Sequence, residues 1–115
     1  RMPKGSDEEK AVRSKAIQEA TKGAALVPFK VGETANELFA LADVVITRGN
    51  TNAVTDGAVA AMNTRAAVRG AFLNVKINLG SIKDQTFVDD LNGKMAAIEK
   101  EVDGKEQALL GKVNL

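Results

Sequence analysis

The sequence has no cysteine, histidine, tryptophan or tyrosine, and only four phenylalanines among 115 residues. The lack of cysteine excludes disulfides and thiol chemistry, and the lack of histidine removes the commonest neutral-pH base and metal ligand. We therefore expect no zinc and no other metal site. With so few aromatics the core has to be built from Ala, Val, Leu, Ile and Met, which favours closely packed helices over a sheet.

Neither sign of charge is in excess, because 16 basic residues face 15 acidic ones and leave a net charge of +1. Such a balance is not typical of a nucleic-acid-binding protein, which concentrates positive potential on one surface. No apolar run reaches the length of a membrane span, and no charged-then-apolar leader precedes the first helix. We expect a cytoplasmic, soluble protein with neither a nucleic-acid partner nor a membrane partner.

Apolar residues recur at helical spacing along the chain, and no segment of any length alternates with a period of two. Ser6, with Glu9 three residues later, predicts a capped helix start. Pro28 predicts the end of that helix or a kink in it. A second helical run is predicted from Val31 to Arg48, where a glycine ends it, and its apolar stripe includes Leu38, Leu41 and Val45.

The last helix is predicted to start at Ser81, with Asp84 three residues on, and to carry a coiled-coil-like apolar seam. The seam consists of Val88, Leu91, Met95, Ile98, Val102, Leu109 and Val113. The pattern predicts an all-α antiparallel helical bundle spanning 1–115 as one domain, of a length that favours self-association.

The stretch from Gly49 to Asn78 is predicted to be a turn followed by a third helix capped at Thr55-Asp56. One side of this helix carries what we call the small-residue row: Asp56, Ala60, Asn63, Ala67, Gly70, Asn74 and Asn78. The other side is predicted to face the core with Val59, Met62, Ala66, Phe72, Leu73 and Ile77. A row without large aliphatics either lets another helix backbone approach closely or lines a polar pocket.

Common catalytic motifs are absent, since the sequence has no GxxxxGK[ST], GxGxxG, GxSxG or HExxH pattern. Carboxylates are then the main acid–base candidates, beside a lysine tuned by burial. Asp56 stands out because turn residues flank it and Gly57 follows it. Its structural interpretation is a helix-start carboxylate that stabilises the helix by roughly 0.3–1 kcal/mol.

The run GNTNAVTDGAVAAMNTRAAVRGAFLNVKINLGSIKD resembles the C-terminal part of the formiminotransferase-cyclodeaminase family, with its GN-x-N-x-x-[ST]-D and G-A-x-x-N-V-x-I-N patterns. The RMPK…EEK entry and the IQEAT…VP segment upstream are also similar to that family. The family's domain extends further at its N-terminus, so the resemblance implies that residues 1–115 are a C-terminal fragment of a cyclodeaminase-like domain.

The resemblance implies a larger, all-helical homodimeric domain that acts on folate one-carbon adducts. Its members close N5-formiminotetrahydrofolate to 5,10-methenyltetrahydrofolate with loss of ammonia, or interconvert methenyl- and formyltetrahydrofolate. A tetrahydrofolate derivative would be the substrate, and no cofactor would be bound permanently.

If the chain acts as the resemblance implies, Asp56 is the predicted catalytic acid and base. Binding of the substrate is predicted for one arginine and four asparagines, namely Arg65, Asn50, Asn52, Asn74 and Asn78. The turn from Gly49 to Asp56 is predicted to form one wall of the main pocket. The alternative is a non-catalytic helical interaction module that assembles through the Val88–Val102 seam.

Overall fold

The computed structural model describes residues 5–49 and 51–113, with only the backbone at 51 and 52. It contains four helices, α1 (Asp7–Asn36), α2 (Phe39–Arg48), α3 (Thr51–Leu79) and α4 (Gln85–Leu110). The described residues include no strand, so the predicted all-α fold is confirmed. None of these helices is long and apolar enough to cross a membrane.

The start of α1 follows the predicted capping pattern. The backbone N–H of Glu9 donates to Ser6 Oγ at 3.0 Å, and the Glu9 carboxylate accepts from the Gly5 N–H at 3.4 Å. The first contact satisfies a backbone donor that the first turn leaves without a partner, and the second satisfies the donor of the residue before the cap. The expected end of α2 is also confirmed, because α2 stops at Arg48 with Gly49 as its extended cap.

The start of α4 differs from the prediction, because Asp84 and not Ser81 is the cap. Asp84 Oδ1 accepts from the Phe87 N–H at 3.1 Å, and its other oxygen accepts from Lys22 Nζ at 2.7 Å. The two bonds lower the pKa of Asp84, that to Lys22 more strongly. The Asp84 carboxylate both caps α4 and pairs with Lys22 of α1. The Ser81 hydroxyl instead donates to a carbonyl of α3.

Pro28 lies inside α1, which continues without a break to Asn36. The predicted end of the helix at Pro28 is therefore wrong, whereas the kink that was the other possibility stays a prediction. A proline inside a helix has no N–H and leaves the carbonyl four residues earlier without its helical donor. That carbonyl belongs to Ala24, and the Asn78 side-chain amide of α3 donates to it at 3.3 Å. A tertiary contact thus replaces the hydrogen bond that the proline removes.

The real interruption comes at Glu37 and Leu38, which keep helical φ and ψ but bond to carbonyls three residues back. A single tight turn of this kind joins α1 to α2 in a nearly continuous rod. We call this the α1–α2 rod. The predicted second helix therefore starts at Phe39 instead of Val31.

Helix α3 packs antiparallel along the α1–α2 rod, and glycines mark two of the closest contacts. A Cβ added to Gly57 would lie 2.7 Å from Ile46 Cγ1 of α2. A Cβ added to Gly32 of α1 would overlap the Phe72 ring of α3, which stacks on Phe29 at 5.8 Å between centroids. The Phe72 ring can approach the α1 backbone, and Ile46 can approach the α3 backbone, only because Gly32 and Gly57 have no side chains.

Helix α4 runs antiparallel to α3 and covers the third side of the core. Its seam faces inward, because Leu91, Met95, Val102 and Leu109 are buried in the common core with Val68, Phe72 and Val75. The turn before α4 is held by Gln18, whose amide donates to the Ser81 carbonyl at 3.0 Å and accepts from the Lys83 N–H at 2.7 Å. The predicted antiparallel helical bundle is therefore confirmed.

The bundle is a thin slab, with principal extents of 68 × 24 × 15 Å and a radius of gyration of 19.5 Å. A compact domain of this length would have a radius near 13 Å, so much apolar surface stays uncovered. The predicted core side of α3 is wrong except for Phe72, since Val59, Met62, Leu73 and Ile77 are exposed. The helix instead buries Ala61, Val68, Val75 and Leu79.

Ion pairs join α3 to α4 at the slab's edge. Asp103 accepts from Arg69 at 2.7 Å and from Arg65 at 2.9 Å. Glu99 accepts from Arg69 at 3.4 Å and from Lys76 at 3.2 Å. The hydrogen bonds from Arg69 and then Arg65 hold the pKa of the Asp103 carboxyl below its usual range.

We expect Gly32→Ala to lower the free energy of unfolding by about 1–3 kcal/mol, because its methyl group would overlap a ring that is fully buried and cannot move aside. The matched control is Gly93→Ala, at an exposed α4 position with open space around the added methyl. That control should stabilise the protein by roughly 0.5–1 kcal/mol. Urea denaturation compares them, and equal midpoints would contradict the close contact at Gly32.

The ion pairs of Asp103 predict a pH-dependent effect on stability. A carboxyl whose pKa is lowered by folding stabilises the folded state above its unfolded pKa, near 3.9, and this contribution disappears as the pH falls through the folded pKa. Asp103→Asn should therefore lower the thermal midpoint at pH 7, with a difference that shrinks below about pH 4. Asp90→Asn, which removes a carboxylate paired within α4 to Lys94, is the control and should lower it less. A pH-independent deficit for Asp103→Asn would contradict the ion-pair explanation.

Candidate functional site

A cleft of about 630 Å³ lies between α2 and α3, on the face turned away from α4. Its α2 wall is apolar, and its α3 wall carries the first part of the small-residue row. The lining residues are Leu38, Leu41, Ala42 and Val45 from α2, and Asp56, Gly57, Ala60, Asn63, Thr64 and Ala67 from α3. A cleft of this size with few polar groups is typical of a small-molecule site.

Asp56 lies within α3 and not at its start, since the helix begins at Thr51. The predicted turn from Gly49 to Asp56 is therefore mostly helix, although Asp56 does line the cleft. Its side chain is exposed, and no described cation lies within ion-pair distance of the carboxylate. Gly57 lines the same cleft, and its lack of a side chain lets Ile46 of α2 approach the α3 backbone.

Two further polar side chains line the cleft about two turns beyond Asp56. Asn63 is exposed and lies about 10 Å along the helix axis from Asp56. Thr64 is buried, and its hydroxyl donates to the Ala60 carbonyl at 2.7 Å. Its hydrogen-bonding capacity is thus partly used within the helix, and Asn63 remains the second polar group able to meet a ligand.

The other predicted asparagines are not gathered at this cleft. Asn50 lies outside the described residues, as does the side chain of Asn52. Asn74 is exposed on the same row, about 27 Å along the helix from Asp56. Asn78 is half-buried, and its amide donates to the Ala24 and Asn74 carbonyls.

Arg65 projects toward α4 and away from the cleft. Its Nε donates to Asp103 at 2.9 Å and lies 3.8 Å from Glu106. Of the predicted site residues with described side chains, only Asp56 lines the cleft. No group of three acidic residues among the described ones could hold a metal ion.

The residues of the apolar wall of the cleft were predicted to lie in the core. Leu38, Leu41 and Val45 were expected in the buried stripe of the second helix, yet all three are exposed. The available signal was the width of the stripe, because α2 is apolar on almost every side while a helix on a core surface needs only one apolar face. Asn63 was visible in the small-residue row but could not be ranked above the other amides.

Comparisons with known proteins bear on the identity of the chain. The sequence profile of a family described as formiminotransferase-cyclodeaminase matches residues 1–97. A methenyltetrahydrofolate cyclohydrolase of Methylorubrum extorquens is 39% identical over 89 residues, which cover 77% of this chain and 43% of that protein. The formimidoyltransferase-cyclodeaminase of Rattus norvegicus is 31% identical over 111 residues, covering 96% of this chain and 20% of that protein. The chain thus spans less than half the length of either relative.

The contacts of Asn78 predict that it stabilises the bundle. Asn78→Ala should lower the free energy of unfolding by about 1 kcal/mol, because it removes the donor for the carbonyl that Pro28 leaves unpaired. Asn74→Ala, on the exposed part of the row, is the control and should stay within about 0.5 kcal/mol.

A double-mutant cycle isolates the cause. Pro28→Ala restores the N–H that a helix normally offers to the Ala24 carbonyl, so Asn78→Ala should cost less in that background. Denaturant titration of the four proteins measures the coupling. An equal cost in both backgrounds would mean that Asn78 does not act through this carbonyl.

Proposed function

Because the chain belongs to the formiminotransferase-cyclodeaminase family, we propose that it forms part of a folate one-carbon enzyme. The reaction is closure of formiminotetrahydrofolate to methenyltetrahydrofolate with loss of ammonia, or interconversion of methenyl- and formyltetrahydrofolate. The substrate is a tetrahydrofolate derivative, no cofactor is permanently bound, and the enzyme is a cytoplasmic homodimer. The observation that carries the proposal is the α2–α3 cleft with Asp56 in its wall.

The shape and lining of the cleft suit a folate. Leu38, Leu41 and Val45 offer an apolar wall against which a flat pterin ring could lie. Asn63 offers both a donor and an acceptor on the facing wall, which match the amide-like edge of such a ring without a counter-ion. Asn50, Asn52 and Asn74 remain proposed binding residues on the same grounds.

Arg65 and Asn78 are the less favoured members of the proposed binding set. Both side chains already have partners within the bundle, Arg65 on α4 and Asn78 on α1 and α3. A ligand would have to displace these contacts before it could use either group. We therefore assign orientation of the substrate first to Asn63 and Asn74.

Asp56 can move the protons that either reaction requires. In ring closure, N10 attacks the carbon of the protonated formimino group, Asp56 accepts the N10 proton, and then returns it to the nitrogen that departs as ammonia. In hydrolysis of the methenyl group, Asp56 takes a proton from the water that attacks the carbon and returns it to N5 as the bond from that carbon to N5 breaks. The remaining proton of the hydroxyl group is released to solvent as the formyl group forms. A carboxylate free of ion pairs with the described cations is available for both steps.

The alternative, a non-catalytic interaction module, required an exposed surface for assembly. Its assembly was expected through the Val88–Val102 seam, but Leu91, Met95 and Val102 are buried inside the bundle. The seam stabilises this chain and is not available to another one.

In the whole protein, Asp56→Asn should reduce turnover by about 10²–10⁴-fold, because an amide preserves shape but cannot accept and return a proton. Substrate binding and the thermal midpoint should change little. Asn74→Ala should instead weaken binding, since it removes an orienting group. Steady-state kinetics on formiminotetrahydrofolate and methenyltetrahydrofolate, with titration of the bound ligand, measures both.

Asp90→Asn is the matched control, because it makes the same chemical change on the outer side of α4, away from the cleft. It should leave turnover unchanged. If Asp56→Asn turned over both folates at the unmodified rate, the proton transfer would have to be assigned to another residue.

A further inference from the structure

Thr64 is the polar side chain that the bundle buries most completely among the described residues, with 5% of its surface exposed. It lines the α2–α3 cleft beside Ala60 and Asn63. Of the residues that line this cleft, only Ala42, Gly57 and Thr64 are buried, so these three form its floor. The floor therefore carries one polar side-chain atom, the hydroxyl oxygen of Thr64.

The Thr64 hydroxyl is committed as a donor and free as an acceptor. Its Oγ1 lies 2.7 Å from the Ala60 carbonyl oxygen, and since a carbonyl has no proton, the hydroxyl must donate in this contact. A hydroxyl oxygen has two lone pairs, and no donor in the described part of the chain reaches those of Thr64. The floor of the cleft thus offers an acceptor without a donor.

Asp56 gives the same preference further along the cleft. It lies eight residues before Thr64, which is about 12 Å along the helix axis, and an ionised carboxylate only accepts. Among the polar side chains that line the cleft, the amide of Asn63 is the one that offers a ligand a donor as well as an acceptor. A ligand that satisfies this cleft therefore has to carry several N–H donors.

A structural role does not account for the Thr64 hydroxyl. A threonine that bonds to the carbonyl four residues back adds little to the stability of a helix. Valine has nearly the same shape and would fill the floor without taking a hydroxyl group out of water. The unfavourable burial of this hydroxyl is best offset where its remaining lone pairs meet a donor from a ligand.

We propose that Thr64 Oγ1 accepts a hydrogen bond from the exocyclic 2-amino group of the pterin, and that this contact makes the cleft selective for 2-aminopterins. The proposal rests on the proposed function, because it assigns one edge of the folate to one atom of the same cleft. The 2-amino group neighbours the N3–H and 4-oxo groups, which match the acceptor and donor of Asn63. The end of the ring that carries the one-carbon unit then points along α3 toward Asp56.

The test is a cycle of one substitution and one change of ligand in the whole protein. Thr64→Val removes the acceptor, and a tetrahydrofolate analogue without the 2-amino group removes the donor. Thr64→Val should bind the complete folate about tenfold more weakly, because a buried amino group loses its partner. It should bind the analogue as tightly as the unmodified protein does. Thr64→Ser keeps the hydroxyl and should bind the complete folate normally. Calorimetric titration measures each affinity.

Thr21→Val is the matched control, since Thr21 makes the same contact with the Ile17 carbonyl, at 2.8 Å, on α1 and outside the cleft. It should change neither binding nor turnover. Thr64 positions the ring and takes no part in proton transfer. Thr64→Val should therefore raise KM and leave kcat within about twofold, whereas Asp56→Asn lowers kcat.

Equal affinity of Thr64→Val and the unmodified protein for the complete folate would overturn the proposal. An equal loss for both ligands would also overturn it, because the shape of the floor and not the hydrogen bond would then be responsible. Thr64→Ala repeats the cycle if Thr64→Val melts at a lower temperature than Thr21→Val. Either failure, in a protein that loses turnover on Asp56→Asn, leaves the proposed function intact. An unmodified protein that binds no folate overturns both.

Discussion

The close approach of α3 to the α1–α2 rod is the constraint on which the other packing depends. Gly32 makes room for the Phe72 ring, and Gly57 makes room for Ile46. Helix α3 and the α1–α2 rod can therefore touch at points where side chains would normally hold two helices apart. Phe72 can then stack on Phe29, and α4 can cover the third side with its apolar seam. The ion pairs of Asp103 and Glu99 secure that cover at its edge.

The same approach also creates the cleft. Where α2 and α3 touch at Gly57, their outer surfaces diverge, and the residues on either side of the contact become the two walls. The α2 wall is apolar because that helix has more large aliphatics than one core contact can use. The α3 wall is small and polar because the row from Asp56 to Ala67 has no large side chain. The cleft and a packing contact between helices therefore arise from a single stretch of α3.

The sequence was sufficient for the helical class, the Ser6 start of α1 and the end of α2, because these depend on local hydrogen bonding and on helical periodicity. It was insufficient where the local structure depends on a contact with a residue that is distant in the sequence. Pro28 does not end α1 because Asn78, 50 positions later, supplies a donor. The core side of α3 was misassigned because the size of Val59 or Ile77 favours burial, whereas Ala61 and Val68 are the residues that fit against a neighbouring helix at close range. Asp56 could be singled out, but its partner in the cleft, Asn63, could not be told from the other amides.

The contact between Asn78 and the Ala24 carbonyl also sets the register of the antiparallel pair. Sliding α3 by one turn along α1 would move Asn78 by about 5.4 Å, leaving both its amide and the carbonyl above Pro28 without this bond. The same slip would carry the Phe72 ring away from Gly32 and onto a position that bears a side chain. Helix pairs rich in alanine have many nearly equivalent offsets. Here the hydrogen bond from Asn78 to the carbonyl that Pro28 leaves unpaired favours one offset of the two helices over the others.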